Sequence, residues 1–181
     1  MNSSDLPLEA LEVNLRSLAA RLPGLNVPIC GILLCRLIQH LGREMAGLLE
    51  QTIRPFGLAE AEFRALVTLY SRPDGVAHPG DLCAGTSQSP ANMSRISDAL
   101  VDRGLITREM SVHDRRRMVL RVTQQGEELV RRLLPPMFAH LHELFGDLTE
   151  AKQRQLLSVL KELGSKVCEA NAANGLEAAA E

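Results

Sequence analysis

The chain has 181 residues, of which 45% are hydrophobic and 23% charged, and its formal net charge is −2. This composition is ordinary for a globular protein that buries a core, and the slight negative charge excludes nucleic-acid binding through basic composition alone. No apolar run is long enough to predict a membrane span. The N-terminus lacks the basic and apolar regions of a signal peptide, and the four cysteines form no CxxC pair. The sequence therefore predicts a cytoplasmic protein without a zinc ribbon or a disulfide framework.

The first 71 residues are predicted to be mainly helical. Residues 1–26 carry a weak helical pattern, which is compatible with an extra helix or with a loose arm. Residues 28–53 repeat apolar side chains at three- and four-residue steps, and the apolar face is too broad to be covered from one side. This breadth favours a helix that packs both on its own domain and on a second subunit. A further helix is predicted over 59–71.

The middle of the chain combines short helices with two strand-like segments. A short strand is expected at 76–78 and a short helix at 79–84, broken at Gly85. A longer helix is expected to begin at Ser89, a typical N-cap, with Pro90 in its first turn, and Gly104 is placed to end it. Two β-rich segments, 105–108 and 118–122, then flank a polar turn over 111–117.

A helix followed by a two-stranded ribbon has a geometry suited to duplex DNA. The helix can enter a major groove while the tip of the ribbon reaches the neighbouring minor groove. The charge supports this interpretation, because residues 95–121 contain seven arginines and four acidic residues. That segment carries +3, which leaves −5 for the rest of the chain.

The C-terminal third is predicted to be helical. A helix capped by Thr123 is expected to break or kink at Pro135-Pro136, because proline donates no backbone hydrogen bond. Another helix is expected from Thr149, and residues 171–181 are expected to be frayed. The fold class is mainly α with a small β-wing. The predicted divisions are an N-terminal extension (1–27), a helical dimerisation region (28–56 and 124–170), a winged helix-turn-helix domain (57–123) and a flexible tail (171–181).

The sequence resembles the MarR family of winged-helix regulators over residues 29–163. The most specific runs are Asn92-x-Ser94-Arg95-Ile96-x-Asp98-x-Leu100, Arg103-Gly104-Leu105-Ile106-x-Arg108, Asp114-Arg115-Arg116-Arg117 and Leu120-x-Val122-Thr123-x-x-Gly126. Within the family it is most similar to the EmrR (MprA) branch of multidrug-efflux repressors. The runs that carry this second likeness are Leu33-Leu34-x-Arg36-Leu37, Gly57-Leu58, Phe63-x-Ala65-Leu66-x-Thr68-Leu69, Leu134-Pro135-Pro136 and His140-Leu141-His142.

The resemblance implies a homodimeric repressor that binds a pseudo-palindromic DNA operator and controls a multidrug efflux operon. It also implies release by a small lipophilic, often phenolic, ligand. Two alternatives stay open: an oxidant-responsive or activating regulator of the same family, and a helical protein-interaction adaptor that does not use DNA. No enzyme is expected, because the sequence holds no GxSxG, HExxH or phosphate-cradling loop.

Candidate DNA contacts lie at the start of the predicted recognition helix and in the basic turn. The resemblance places Arg116 in the minor groove, with Asp114 orienting it through an ion pair. Asp98 and Asp102 would repel phosphate, so they are expected to face the protein or the wing arginines. The full set of candidate DNA-binding residues is Ser89, Ala91, Asn92, Ser94, Arg95, Arg115, Arg116 and Arg117.

Ligand, redox and metal candidates are weaker. Arg36, His40 and Phe63 are candidates for the ligand pocket, although a solvated helix face explains Arg36 and His40 equally well. Cys30 and Cys35 lie ~140° apart on a helix; buried apolar cysteines are expected, with oxidant sensing as the alternative. His140 and His142 are two residues apart and make a poor metal pair, so neither a metal nor a cofactor is expected.

Overall fold

The structure is a computed structural model that describes residues 8–110 and 118–177. The chain divides into two compact units, Met1–Leu133 and Leu134–Glu181. The helices are α1 (Leu8–Arg21), α2 (Ile29–Ile53), α3 (Glu60–Tyr70), α4 (Pro79–Thr86), α5 (Pro90–Asp102), α6 (Gln124–Phe145) and α7 (Glu150–Glu177), and the strands are β1 (Val76–Ala77), β2 (Ile106–Met110) and β3 (Met118–Val122).

The predicted fold class, mainly α with a small β-wing, is confirmed. The three strands form one antiparallel sheet in the order β1-β3-β2, with Val76 opposite Arg121 and Ile106 opposite Val122. Helices α3, α4 and α5 pack on one another and on this sheet. The core draws on every one of these elements, including β1 through Ala77. Its most deeply buried side chains, no more than 2% exposed, are Leu66, Leu69, Leu82, Met93, Leu100, Ile106 and Leu120. This arrangement is a winged helix-turn-helix.

Outside the winged core, the first unit carries two more helices. Helix α1 resolves the choice that the weak N-terminal pattern left open, because residues 8–21 are helical and contact α2. Leu15 is the buried residue of this helix. Helix α2 is buried at its C-terminal end, at Thr52 and Ile53, and exposes half of its broad apolar face, at Leu34, Ile38, Leu41, Met45 and Leu48. A 3₁₀ turn over Arg54–Phe56 joins it to α3.

Helix α4 continues through Gly85 to Thr86, so the predicted break at Gly85 is wrong. The glycine serves another purpose there. A Cβ atom on Gly85 would meet the Thr68 Cγ2 atom at 3.1 Å, so the missing side chain allows α4 to approach α3 closely.

The two prolines of α6 do not break it, because the helix is assigned continuously from Gln124 to Phe145 with both inside. The predicted alternative, a kink at these residues, stays a prediction. Proline removes the hydrogen bonds that residues 135 and 136 would have donated to the carbonyls of residues 131 and 132. Arg131 and Arg132 are exposed, so water can satisfy those carbonyls. The boundary between the two units falls at Leu133 and Leu134, immediately before the prolines.

The second unit consists of the C-terminal part of α6 together with α7, which extends to Glu177, beyond residue 171 where fraying was expected to begin. All side chains of α7 described up to residue 173 are exposed. Many of them are large and apolar. Within residues 8–110 and 118–177, no helix combines the length and apolarity needed to cross a membrane.

Candidate DNA-binding interface

Helix α5 presents a polar, exposed surface at its first turn. The Ser89 Oγ atom accepts a hydrogen bond from the Asn92 backbone N–H at 3.3 Å, which confirms the predicted N-cap, and Pro90 occupies the first turn. Met93, Ile96 and Leu100 anchor the opposite face in the core. The cap and the apolar spacing therefore fix which side of α5 faces outwards: Ala91, Ser94 and Arg95 are exposed there, and Asn92 is half-buried.

The turn before α5 is held by backbone hydrogen bonds to α4. Ser87 adopts the left-handed conformation with φ of 54°, an uncommon state for a residue other than glycine. The backbone N–H of Gln88 donates to the carbonyl of Cys83 at 3.1 Å. The Gln88 side chain then accepts a hydrogen bond from the Asn92 amide at 2.5 Å.

Arg103 attaches the C-terminal end of α5 to the junction between α2 and α3. Its guanidinium donates to the carbonyl oxygens of Gly57 at 2.6 Å and Phe56 at 3.0 Å, and lies 3.5 Å from the Glu62 carboxylate. Gly104 follows with φ of 66°, as expected of a glycine that ends a helix. The recognition helix is thus fixed at both ends.

The wing strands are joined to α5 by an ion pair. Asp98 of α5 lies 2.8 Å from Arg108 of β2, which agrees with the expectation that Asp98 faces the protein or the wing arginines. The two strands pair as far as Met110 opposite Met118. Residues 111–117, which hold Asp114, Arg115, Arg116 and Arg117, lie outside the described residues.

Helix α6 is linked to the winged core through its first turns. Thr123 accepts a hydrogen bond from the Gly126 backbone N–H at 3.1 Å, which confirms the predicted cap. Further along, Arg131 pairs with Glu127 at 2.7 Å. A hydrogen bond to Tyr70 of α3, and then the Glu127 interaction, raise the pKa of Arg131 above its ordinary value. Both interactions favour the charged form of the side chain at this junction.

The ligand candidates lie in different environments within the first unit. Arg36 is exposed and His40 is half-buried, one turn apart on α2, with the His40 ring 4.0 Å from Glu44. Phe63 is only 6% exposed and belongs to the apolar core of the winged domain. No group of three potential metal ligands occurs in the part of the chain that the structure describes.

The cysteines differ from expectation. Cys30, Cys35 and Cys168 are exposed and Cys83 is half-buried, so the predicted burial of Cys30 and Cys35 is wrong for the single chain. Both lie in the N-terminal part of α2, and at ~140° apart they do not share one side of the helix.

Sequence reasoning missed three side chains that shape this interface: Arg103, Gln88 and His78. Arg103 bridges residues 46 and 47 positions away, and the His78 Nδ1 atom lies 2.9 Å from the carbonyl oxygen of Met118, 40 positions away. No local pattern signals such contacts. The Gln88–Asn92 pair is local, but Gln88 precedes the Ser89 N-cap and lies outside α5, so the i, i+4 rule for a helix surface does not predict it.

Comparison with known proteins places this geometry among DNA-binding regulators. A MarR family model matches residues 56–117. The transcriptional repressor MprA of Escherichia coli K12 is 33% identical over 167 residues, which cover 92% of each chain.

Solved structures share the architecture. AbsC, a MarR family transcriptional regulator from Streptomyces coelicolor, has a TM-score of 0.67 and 27% identity, over 75% of this chain and 93% of its own. BpsR of Bordetella bronchiseptica, whose DNA binding is regulated by 6-hydroxynicotinic acid, has a TM-score of 0.63 and 22% identity. That match covers 71% of this chain and 91% of BpsR, and at this identity it shows a shared fold.

Proposed function

The chain belongs to the MarR family of transcriptional regulators, and we propose that it is a dimeric repressor that binds a pseudo-palindromic operator in the cytoplasm. The observation that carries the proposal is the outward first turn of α5, with Ser89, Ala91, Asn92, Ser94 and Arg95. Its backbone is fixed by the Ser89 cap at one end and the Arg103 contacts at the other. Base edges in a major groove are read by side chains in this position.

The basic segment after β2 supplies the second half of the proposed contact. Because Met110 and Met118 pair across the wing, the chain leaves and re-enters the sheet at one end, and residues 111–117 connect those ends. We assign Arg116 to the minor groove and Asp114 to its orientation, on the strength of the family resemblance. Arg115 and Arg117 are assigned to phosphate oxygens.

Dimerisation is supported by the apolar side chains that the second unit leaves exposed. On α7, the side chains Leu156, Leu160, Leu163 and Val167 are 39–51% exposed. They recur at steps of four, three and four residues, the spacing of a helix that packs against another helix. A symmetric dimer would place two copies of α5 one DNA turn, ~34 Å, apart, which matches a pseudo-palindromic operator.

Control of an efflux operon and release by a lipophilic, often phenolic, ligand are proposed from the likeness to the E. coli repressor MprA. The fold is compatible with ligand control, since BpsR shares it and its DNA binding is regulated by a hydroxylated aromatic acid. A ligand can release the operator only by binding more tightly to the conformer that fits DNA poorly. Arg36, His40 and Phe63 are the proposed pocket residues.

The test of DNA binding is the substitution Arg116→Ala. Affinity for an operator duplex selected from random DNA should fall well over tenfold, because the proposed minor-groove contact is lost. Fluorescence anisotropy over a range of salt concentrations measures it, and the wild type should lose affinity steeply as salt rises.

Arg16→Ala is the matched control, because it removes the same charge from α1, where Arg16 is exposed beside Glu12. It should leave DNA affinity unchanged. A protein-interaction adaptor predicts no loss in either variant and no steep salt dependence, and that result would end the proposal.

The ligand is tested separately with a panel of lipophilic phenols. A ligand that binds the folded protein should raise its melting temperature and lower its operator affinity. If no compound of the panel shows either effect, the proposed class of effector is wrong, while the proposal of a repressor stands.

A further inference from the structure

The first turn of α5 holds a hydrogen-bonded pair of side-chain amides. The Asn92 Nδ2 group donates to the Gln88 Oε1 atom at 2.5 Å. Both side chains are half-buried, whereas Ser89, Ala91 and Ser94 around them are exposed. Two amides that hold each other at the edge of a proposed DNA-reading surface have a fixed orientation.

Gln88 is itself anchored to the helix before it. Its backbone N–H donates to the carbonyl of Cys83 at 3.1 Å, and its Nε2 group lies 3.5 Å from the carbonyl of Thr86. Thr86 is buried and donates from its Oγ1 atom to the carbonyl of Leu82 at 2.6 Å. The position of the Gln88 amide is therefore set by α4.

Asn92 is fixed from the other side by the helix cap. Its backbone N–H donates to Ser89 Oγ at 3.3 Å, so the Cα position does not depend on the side chain. With backbone and amide both held, Asn92 loses little conformational entropy on binding, which favours affinity for a ligand of matching shape.

The Asn92 amide keeps a defined set of hydrogen-bonding groups. It has two N–H donors and one oxygen acceptor, and one of the donors is already bound to Gln88. The remaining N–H and the Oδ1 atom form one donor beside one acceptor. In the major groove, adenine offers N7 as an acceptor and N6 as a donor, while guanine offers two acceptors, N7 and O6. The free edge of Asn92 complements adenine and would face guanine with an unpaired oxygen.

We propose that Asn92 reads an adenine in each half-site and that Gln88 is the positioning residue that orients its amide. This inference rests on the proposed function, because it needs α5 in a major groove. It goes beyond that function because it names the base that is recognised. It also distinguishes Asn92, which contacts the base, from Gln88, which orients the Asn92 amide.

The experiment selects binding sites for the dimer from a library of random duplex DNA. The wild type should enrich a motif with one adenine conserved in each half-site. Affinity is then measured for the selected duplex and for a duplex with that A·T pair changed to G·C in one half-site. The wild type should discriminate by about tenfold or more, and Asn92→Ala should bind the two duplexes almost equally.

Two substitutions at Gln88 separate the effect of its hydrogen-bond acceptor on Asn92 from the effects of side-chain size and charge. Gln88→Ala removes the acceptor oxygen, so discrimination between the two duplexes should fall towards that of Asn92→Ala. Gln88→Glu keeps an acceptor for the Asn92 N–H, so discrimination should remain at the wild-type value. Its added negative charge should weaken binding to both duplexes by the same factor. Circular dichroism and thermal unfolding of each variant check that the fold is unchanged.

The outcomes are distinct. If Asn92→Ala discriminates as well as the wild type, Asn92 does not read the base. If Gln88→Glu loses as much discrimination between the two duplexes as Gln88→Ala does, the side-chain oxygen of Gln88 does not orient the Asn92 amide. Enrichment of no duplex by the wild type would overturn the proposed function together with this inference, whereas a motif without the conserved adenine would overturn this inference alone.

Discussion

Arg103 shows how one side chain can hold three segments together. Its guanidinium reaches two carbonyls of the turn that follows α2 and a carboxylate at the start of α3. Hydrogen bonds from a charged donor are shorter and stronger than those between neutral groups. The Glu62 carboxylate also accepts the backbone N–H of Ala59 at 3.1 Å. Arg103 therefore stabilises the turn between α2 and α3, the start of α3 and the position of the recognition helix.

We expect Arg103→Ala to lower the free energy of unfolding by about 1–2 kcal/mol, since charge-assisted hydrogen bonds to two carbonyls are lost from a partly exposed site. Arg103→Lys should retain part of this, because an ammonium group can reach one carbonyl but cannot span two. Chemical denaturation measures both variants. Equal stabilities for Arg103→Ala and the wild type would mean that solvent replaces these hydrogen bonds without cost.

At the scale of the secondary-structure elements, the junction between the wing and α6 depends on a glycine. A Cβ atom on Gly126 would lie 2.1 Å from the carbonyl oxygen of Leu105 and 3.0 Å from the Val122 Cγ2 atom. The same carbonyl accepts the backbone N–H of Thr123 at 3.1 Å. The first turn of α6 therefore packs directly on the backbone that enters β2, and only glycine fits there.

Gly126→Ala should lower the free energy of unfolding by about 1–3 kcal/mol, because the backbone must shift to admit the methyl group. Gly80→Ala is the matched control: Gly80 is also helical, and a Cβ atom there meets nothing within 4 Å. That variant should be unchanged or more stable by about 0.5 kcal/mol, since alanine favours the helix. Similar losses for the two variants would show that the close approach is not the cause.

The elements themselves were largely predictable because their signals are local. The Ser89 cap, Pro90 in the first turn and Gly104 at the end define α5 within sixteen residues, and each signal acts on its own stretch of backbone. Glycine and proline signals did not end the helices in which they lie. Gly85 lies inside α4, where a side chain would meet Thr68 of α3, and Pro135 and Pro136 lie inside α6, where the residues that lose their hydrogen-bond donors are exposed.

The candidate site was only partly predictable for the same reason. The outward residues of α5 follow from its apolar spacing, which assigns Met93, Ile96 and Leu100 to the core. The partners of Arg103 depend on how α5 meets the turn between α2 and α3, which the spacing does not encode. Asp98 was expected to face the protein or the wing arginines, and it pairs with Arg108. The exposure of Cys30 and Cys35 has a different origin. The apolar pattern of α2 predicts burial, but in the proposed dimer part of that burial comes from a second subunit and not from the same chain.

At the scale of the whole molecule, family membership confirms that the chain is a transcriptional regulator and not an enzyme. Its assembly remains a proposal. The second unit exposes many large apolar side chains: Phe138, Leu141, Leu144, Leu156, Leu157, Val159, Leu160, Leu163 and Val167. So large an apolar surface marks an interaction site on a globular protein.

Leu160→Asp should weaken dimerisation by on the order of 100-fold or more, because a symmetric interface would bury two unpaired carboxylates. Ser158→Asp introduces the same group two residues away, on the opposite side of α7 from the Leu156–Leu160–Leu163 stripe, and should leave the dimer intact. Sedimentation equilibrium over a dilution series measures both. Dissociation by Ser158→Asp but not by Leu160→Asp would assign the interface to the other face.

The distribution of basic residues has a chemical consequence for regulation and for experiment. All three lysines of the chain, Lys152, Lys161 and Lys166, lie on α7, whereas the basic residues of the segment 95–121 are all arginines. Acetylation removes the charge of lysine and leaves arginine untouched. The proposed DNA surface is therefore insensitive to cellular acyl donors, and a side-chain-directed amine label or cross-linker would report on α7 without altering the charge that meets the phosphates.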